Sequence, residues 1–208
     1  MTHAIEQAIF DVARSLEVPV LILALIALAG VIVELGGFAV ELRTRQRRRF
    51  PRLSTAAADA QKAIADGDRS IAKTALGAVA WSGAMAATFD TIADQAGEPG
   101  ADTRIAKALA DFDFDSQRRL ARTRLLVRAG PALGLMGTLI PLSPALEGLR
   151  NGNTTALSQN LRVAFSVTVL GLLIGAIAFA LSLYRDRMYG QDLSDLEYVA
   201  AVLTDERR

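Results

Sequence analysis

The sequence predicts an all-α integral membrane protein, with three transmembrane helices and long cytoplasmic helical extensions that form a bundle. Three observations carry this. Hydrophobic residues make up 51% of the 208 and charged residues 22%, at a mean hydropathy of +0.29, above that of a soluble domain with the same charge fraction. The charges are segregated, leaving three stretches of roughly twenty residues nearly free of them. No stretch shows the alternation of a strand. The absence of cysteine excludes a disulfide scaffold, a thiolate metal site and a cysteine nucleophile. The single histidine, His3, leaves neither a histidine metal site nor a Ser-His-Asp triad.

Residues 1–17 are expected to be an N-terminal outer-side segment. They carry Glu6, Asp11 and Glu17 where a signal peptide would be basic, and no small-residue cleavage site follows the next apolar run. The first span covers 18–40 and only Glu34 interrupts it; the second covers 129–149 with Glu147 near its end; the third, 163–184, has no charge. Each is long enough as a helix to cross about 30 Å of hydrocarbon. Between the first two lies an alanine-rich helical region, 41–128. There Pro51 is expected to break the first helix, Ser54 to cap a short one ending at Asp66–Gly67, and Asp68 to cap a longer one reaching Ala96. Trp81 reads as a packing anchor. Gly97–Gly100 is a turn, and Asp102 caps a helix that continues unbroken into the second span. A short outer loop, 150–162, precedes the third span. The C-terminal segment, 185–208, is a helix with Leu193, Leu196, Val199 or Ala200, and Leu203 on one face, packed on the bundle.

Arginine sets the expected orientation. Arg43, Arg45, Arg47, Arg48, Arg49 and Arg52 follow the first span. Arg118, Arg119, Arg122, Arg124 and Arg128 precede the second, and Arg185 and Arg187 follow the third. Residues 41–128 hold 16 basic and 11 acidic side chains, whereas the N-terminal flank and the C-terminal tail are net acidic. The positive-inside rule then places the N-terminus outside and the C-terminus in the cytoplasm of an inner (plasma) membrane. The juxtamembrane position accounts for the arginines without nucleic acid as a partner. No nucleophile–base pair, metal cluster or phosphate loop is assembled, so no enzymatic activity and no cofactor are expected. The glycines from Gly130 to Gly137 lie inside a span and follow no strand, which rules out a nucleotide loop.

In the third span Ala164, Thr168, Gly171, Gly175, Ala178 and Ser182 recur in steps of four and three, one small stripe on one helical face. Such a stripe marks close helix approach in lipid. Leu170, Leu173, Ile177 and Leu181 form the face expected opposite it. The second span carries a matching stripe of Gly130, Gly134, Gly137, Pro141 and Gly148 with Thr138 beside it. Two small, weakly polar walls suit a tight assembly around something narrow, and Thr138 and Thr168 are its sharpest polar points. Glu34 is costly inside a membrane and is either a functional carboxylate or one that snorkels toward Arg43. Glu147 sits near the outer mouth. Pro131, Pro141 and Pro144 suggest a kinked helix.

RAGPALGLMGTLIPL, Arg128 to Leu142, resembles the second-span signature of the MotA/TolQ/ExbB proton channel family, a small-Pro-x-x-Gly-Leu-x-Gly-Thr pattern. FSVTVLGLLIGAIAF, Phe165 to Phe179, looks like that family's third span, with Thr168 three residues before Gly171-Leu172. Three spans with a large region after the first resemble the TolQ/ExbB-like branch. The resemblance implies a homopentamer around a single-span ExbD/TolR-like partner whose membrane aspartate carries protons. It implies Thr138 and Thr168 in the proton pathway and Gly130, Gly134, Gly137, Pro141, Gly171, Gly175 and Ala178 as packing and pore wall. It also implies a stator that passes work to the cell envelope or to transport. Glu147 and Glu34 are secondary candidates. Two positions depart from the pattern. Val163, preceded by Arg162, stands where a glutamate is common, and Gly175-Ala176-Ile177-Ala178 lacks the usual proline. A passive membrane scaffold or transporter accessory subunit is the competing class, using the same stripes for packing alone.

Overall fold

The computed structural model describes residues 2–45 and 50–205. These form α1 (Thr2–Ser15), α2 (Glu17–Arg45), α3 (Phe50–Ala65), α4 (Arg69–Gly77), α5 (Gly83–Gln95), α6 (Ala101–Arg150) and α7 (Thr154–Thr204). No strand occurs among the described residues. Three helices are long and apolar enough to cross a membrane, so the protein is all-helical and polytopic. α6 and α7, at 50 and 51 residues, would each run about 75 Å, well over twice the hydrocarbon thickness.

Local chemistry explains most boundaries, and several differ from expectation. Asp68 caps α4 by accepting from the Ser70 and Ile71 amides, at 3.0 and 3.1 Å. The long helix expected from Asp68 to Ala96 is instead two. Ser82 takes up an extended backbone and its hydroxyl accepts from the Met85 amide, starting α5 afresh. Ser54 caps nothing: α3 begins at Phe50, and the Ser54 hydroxyl donates to the Pro51 carbonyl. Pro51 sits in the first turn of α3, where its missing amide is not needed. α2 is described to Arg45, and residues 46–49, with Arg47, Arg48 and Arg49, lie outside the described residues. Gly67, at φ 84°, follows α3 as expected. α6 starts at Ala101 with Asp102 in its first turn, so Asp102 is not the cap, and it runs on through Pro131, Pro141 and Pro144. Of the connection expected over 150–162, only residues 151–153 lie outside helix, turning at Gly152 with φ 73°.

The chain divides into two compact units. One comprises residues up to Gly37 with Ala121–Leu183. Its core is Val20, Ala27, Val31, Leu133, Ile174 and Ala178, contributed by α2, α6 and α7. The rest of its α2 and α7 surface exposes Leu25, Ile26, Val33, Phe165, Val169 and Phe179, each more than half accessible. So much bare apolar surface fits a lipid solvent.

The other unit joins Phe38–Leu120 to the chain from Tyr184 onward. It has a conventional core in which Leu76, Phe89, Ile92, Leu196 and Val199 are fully buried. Trp81 packs on that core, and the expected C-terminal face forms part of it. A buried ionic cluster also ties α2 to α7 here. The Arg45 guanidinium pairs with the Asp192 carboxylate, donates to the Met188 carbonyl at 3.2 Å, and lies 3.9 Å over the Trp81 ring. The Trp81 indole donates to Asp192 at 3.1 Å. Arg185 and the Tyr189 hydroxyl both donate to Glu41, at 3.2 Å each. Arg45 and Arg185, counted in the sequence as juxtamembrane positive charges, are thus ion-paired inside this unit.

Asp192→Ala leaves the Arg45 charge and the Trp81 indole without this carboxylate. It should cost about 3–5 kcal/mol in detergent-solubilised thermal unfolding. Lys73→Ala, which breaks the half-exposed Lys73–Asp94 pair, should cost no more than about 1 kcal/mol. Burial of the Tyr189 phenol, reinforced by Glu41, raises its pKa above the ordinary tyrosine value. That contribution to stability is complete below the ordinary phenol pKa and is lost as pH rises through the folded one. In an ultraviolet titration of the folded protein, Tyr189 should ionise above the ordinary phenol range, and Tyr189→Phe should remove that late step.

Candidate functional site

The site predicted in the spans is built where α6 and α7 meet in the first unit. Glycine lets their backbones touch. A β-carbon at Gly171 would lie 2.5 Å from the Gly130 carbonyl oxygen and 2.7 Å from the Gly134 Cα. One at Gly130 would lie 2.7 Å from the Gly171 carbonyl oxygen and 2.8 Å from the Gly175 amide nitrogen. The Pro131 ring fills the space over Gly175, its Cδ 2.8 Å from a β-carbon placed there. Gly134 lies against the backbone of Thr168 and Gly171, with a β-carbon 3.4 Å from both Cα atoms, and Gly137 receives the Val167 side chain. Ala178 is fully buried in the same seam.

Both threonines are half-buried, Thr168 with its backbone against Gly134 and Thr138 next in sequence to Gly137. The Thr168 hydroxyl donates to the Ala164 carbonyl at 3.0 Å and the Thr138 hydroxyl to the Leu135 carbonyl at 2.8 Å. Each hydroxyl is therefore satisfied along its own helix, the usual arrangement of a threonine in a span. Each oxygen keeps acceptor capacity, and rotation about one bond frees its proton for another acceptor.

The other candidates fall elsewhere. Pro141 is buried on the packed face of α6 and Gly148 is half-buried, next to Ala156 of the hairpin. Glu34 is half-buried and follows Val20, Ala24, Ala27 and Val31 in the packed register of α2. Glu147 is exposed. The face assigned opposite the small stripe is not uniform. Leu181 is buried, Leu170 and Ile177 pack at the edge of the core, and Leu173 is exposed. Val167 and Ile174, buried and close to the small stripe, are large and so fall outside the small-residue pattern that marks this face in the sequence. Glu41, Arg45, Arg185, Tyr189 and Asp192 were missed as a group. Their signal was present as charge at positions that continue the three-four steps of α2 and α7. No group of three or more histidine, cysteine or acidic residues placed to hold a metal occurs among the described residues.

Three apolar helices, two of them packed glycine to glycine, describe a multi-pass membrane protein with a small-residue transmembrane seam. The model of the MotA/TolQ/ExbB proton channel family matches residues 82–195, more than half of the chain, and the chain belongs to that family. The match spans the whole seam and both threonines but does not separate the TolQ/ExbB branch from the others. No curated protein gives a significant match.

Gly171→Ala must push both the Gly130 carbonyl and the Gly134 backbone aside. It should destabilise the α6–α7 pair by about 1–3 kcal/mol in thermal unfolding. Gly36→Ala, which meets nothing within 4 Å, is the matched control and should be neutral or slightly stabilising.

Proposed function

We propose that this chain is the ring-forming channel subunit of a proton-motive-force-driven motor. It surrounds a single-span ExbD/TolR-like partner as a homopentamer in the inner membrane and passes the work to the cell envelope or to transport. The observation that carries this reading is the family match over residues 82–195, which contains the threonines and the seam together. The N-terminus lies outside and the C-terminus in the cytoplasm, on the arginine asymmetry.

On this reading the titrating carboxylate belongs to the partner. A proton moving down 100 mV releases about 2.3 kcal/mol, and the pathway must let the carboxyl gain and lose its proton within that range. A carboxylate in a membrane needs hydrogen-bond donors when charged, and a carboxylic acid needs an acceptor. The Thr168 and Thr138 hydroxyls serve both states by rotating off the Ala164 and Leu135 carbonyls. Neither introduces a fixed charge that would hold the carboxylate in one state. The second and third spans place no charged residue between Ala129 and Leu146, or between Val163 and Tyr184, to compete.

Thr168→Val keeps the side-chain shape and removes the hydroxyl. Co-reconstituted with the partner in vesicles, it should assemble with unchanged native mass. Its proton flux, followed with an entrapped pH dye under an imposed potential, should fall to the level seen without partner. Thr138→Val should act in the same direction. Full flux through the Thr168→Val complex would remove Thr168 from the pathway.

A further inference from the structure

α1 has no role in the reading above, and nothing in its own unit covers its apolar face. Ile5, Ile9, Val12 and Leu16 fall in steps of four, three and four and are each between 43% and 65% exposed. Ala4, Ala8 and Ala13 complete the same apolar face. Gln7, Asp11 and Arg14, also exposed, fall on the other side of the helix.

We infer that α1 is an interfacial helix that lies in the headgroup region of the leaflet at the N-terminal end of α2, with Ile5, Ile9, Val12 and Leu16 in lipid. Two features identify the bilayer as the occupant. First, α1 is tethered to the end of a span with no intervening loop: Leu16 directly precedes α2, whose first turns expose Val18, Ile22 and Leu23 by at least half, so α1 is held at the membrane surface. Second, residues 18–40 already cover about 35 Å as a helix, enough for the hydrocarbon, so α1 starts where the hydrocarbon ends. A 14-residue helix with a charged face is too short and too polar to span, and it has the composition of a surface-lying one.

The joint between α1 and α2 allows the change of direction. Leu16 forms a turn, its amide reaching back only three residues to the Ala13 carbonyl at 3.2 Å. Pro19 has no amide to return to the Ser15 carbonyl, so the backbone ladder is already open at this joint. The charge balance of α1 defines the lipid chemistry. Glu6 and Asp11 outnumber Arg14, so attachment is apolar and needs no anionic headgroup.

The absence of cysteine makes the test direct. Single cysteines at Ile9, Val12, Gln7 and Asp11 of the full-length protein are labelled with an environment-sensitive fluorophore and reconstituted in phosphatidylcholine vesicles. Ile9 and Val12 labels should emit to the blue and be quenched by nitroxide lipids, while Gln7 and Asp11 labels should be quenched by aqueous iodide, each by about twofold or more over the other quencher. Adding anionic lipid should leave the pattern unchanged. Equal iodide quenching on both faces would place α1 in water and overturn the inference. So would Ile9→Cys disulfides between chains without lipid quenching, which would mean that a second copy covers the face. Dependence on anionic lipid would overturn the apolar mode of attachment.

Discussion

In the membrane unit Gly130 and Gly134 meet Gly171 backbone to backbone, and the rest of that unit depends on this contact. Hydrocarbon gives two helices no hydrophobic reason to associate, so contact must come from dispersion between surfaces that fit. At these positions carbonyl oxygens and α-carbons of one helix occupy the space where the other would carry a β-carbon. That contact sets the rotation of α6 against α7. It therefore decides that Pro131 fills the space over Gly175 and that Thr168 lies beside Gly134.

The register that builds this seam runs far beyond it. Along α7 the three-four steps continue from Ala178 through Leu181 or Ser182 to Arg185, Tyr189, Asp192, Leu196, Val199 and Leu203, nearly all buried. α2 does the same from Val20 to Val31, then Glu34, Phe38, Glu41 and Arg45. Periodicity stays constant while chemistry changes along one helix face, from small or aliphatic, to paired charge, to ordinary hydrophobic core. Each chemistry suits its surroundings. Small residues let backbones meet where burial supplies no driving force. The paired charges occupy the stretch where α2 and α7 leave their apolar segments. The leucine-rich end gains from the hydrophobic effect that operates in water.

The proposed mechanism depends on what the seam lacks. A wall with a fixed charge would pin a partner's carboxylate in one protonation state, whereas hydroxyls hydrogen-bonded to their own helix are neutral and can turn. Glycine packing and threonine placement are then one design. The seam packs α6 against α7 with no charge in it, and on the proposed reading the titrating charge belongs to another chain.

How much of this was legible in the sequence depended on how far apart the interacting residues are. The three apolar lengths, the segregated arginines, the unbroken passage of the helix after Gly100 into the second span, and the small stripe were readable because they rest on composition and on neighbours three or four residues away. Turn chemistry was readable less evenly. Asp68 and Gly67 announced themselves, while the capping hydroxyl of Ser82 was passed over inside an alanine-rich run and Ser54 was credited with a cap it does not make. The partner of Arg45 lies 147 residues along the chain. The three-four register puts such an arginine on the packed face of α2, but no local pattern names a partner that far along the chain. By itself the sequence determined which segments enter lipid and which faces are small enough to touch. Only the tertiary structure decided that those faces meet each other, that Leu181 turns inward, and that Asp192 receives both Arg45 and Trp81. Pairings of that kind arise from packing across distant segments, and helical periodicity specifies a face but not what lies against it.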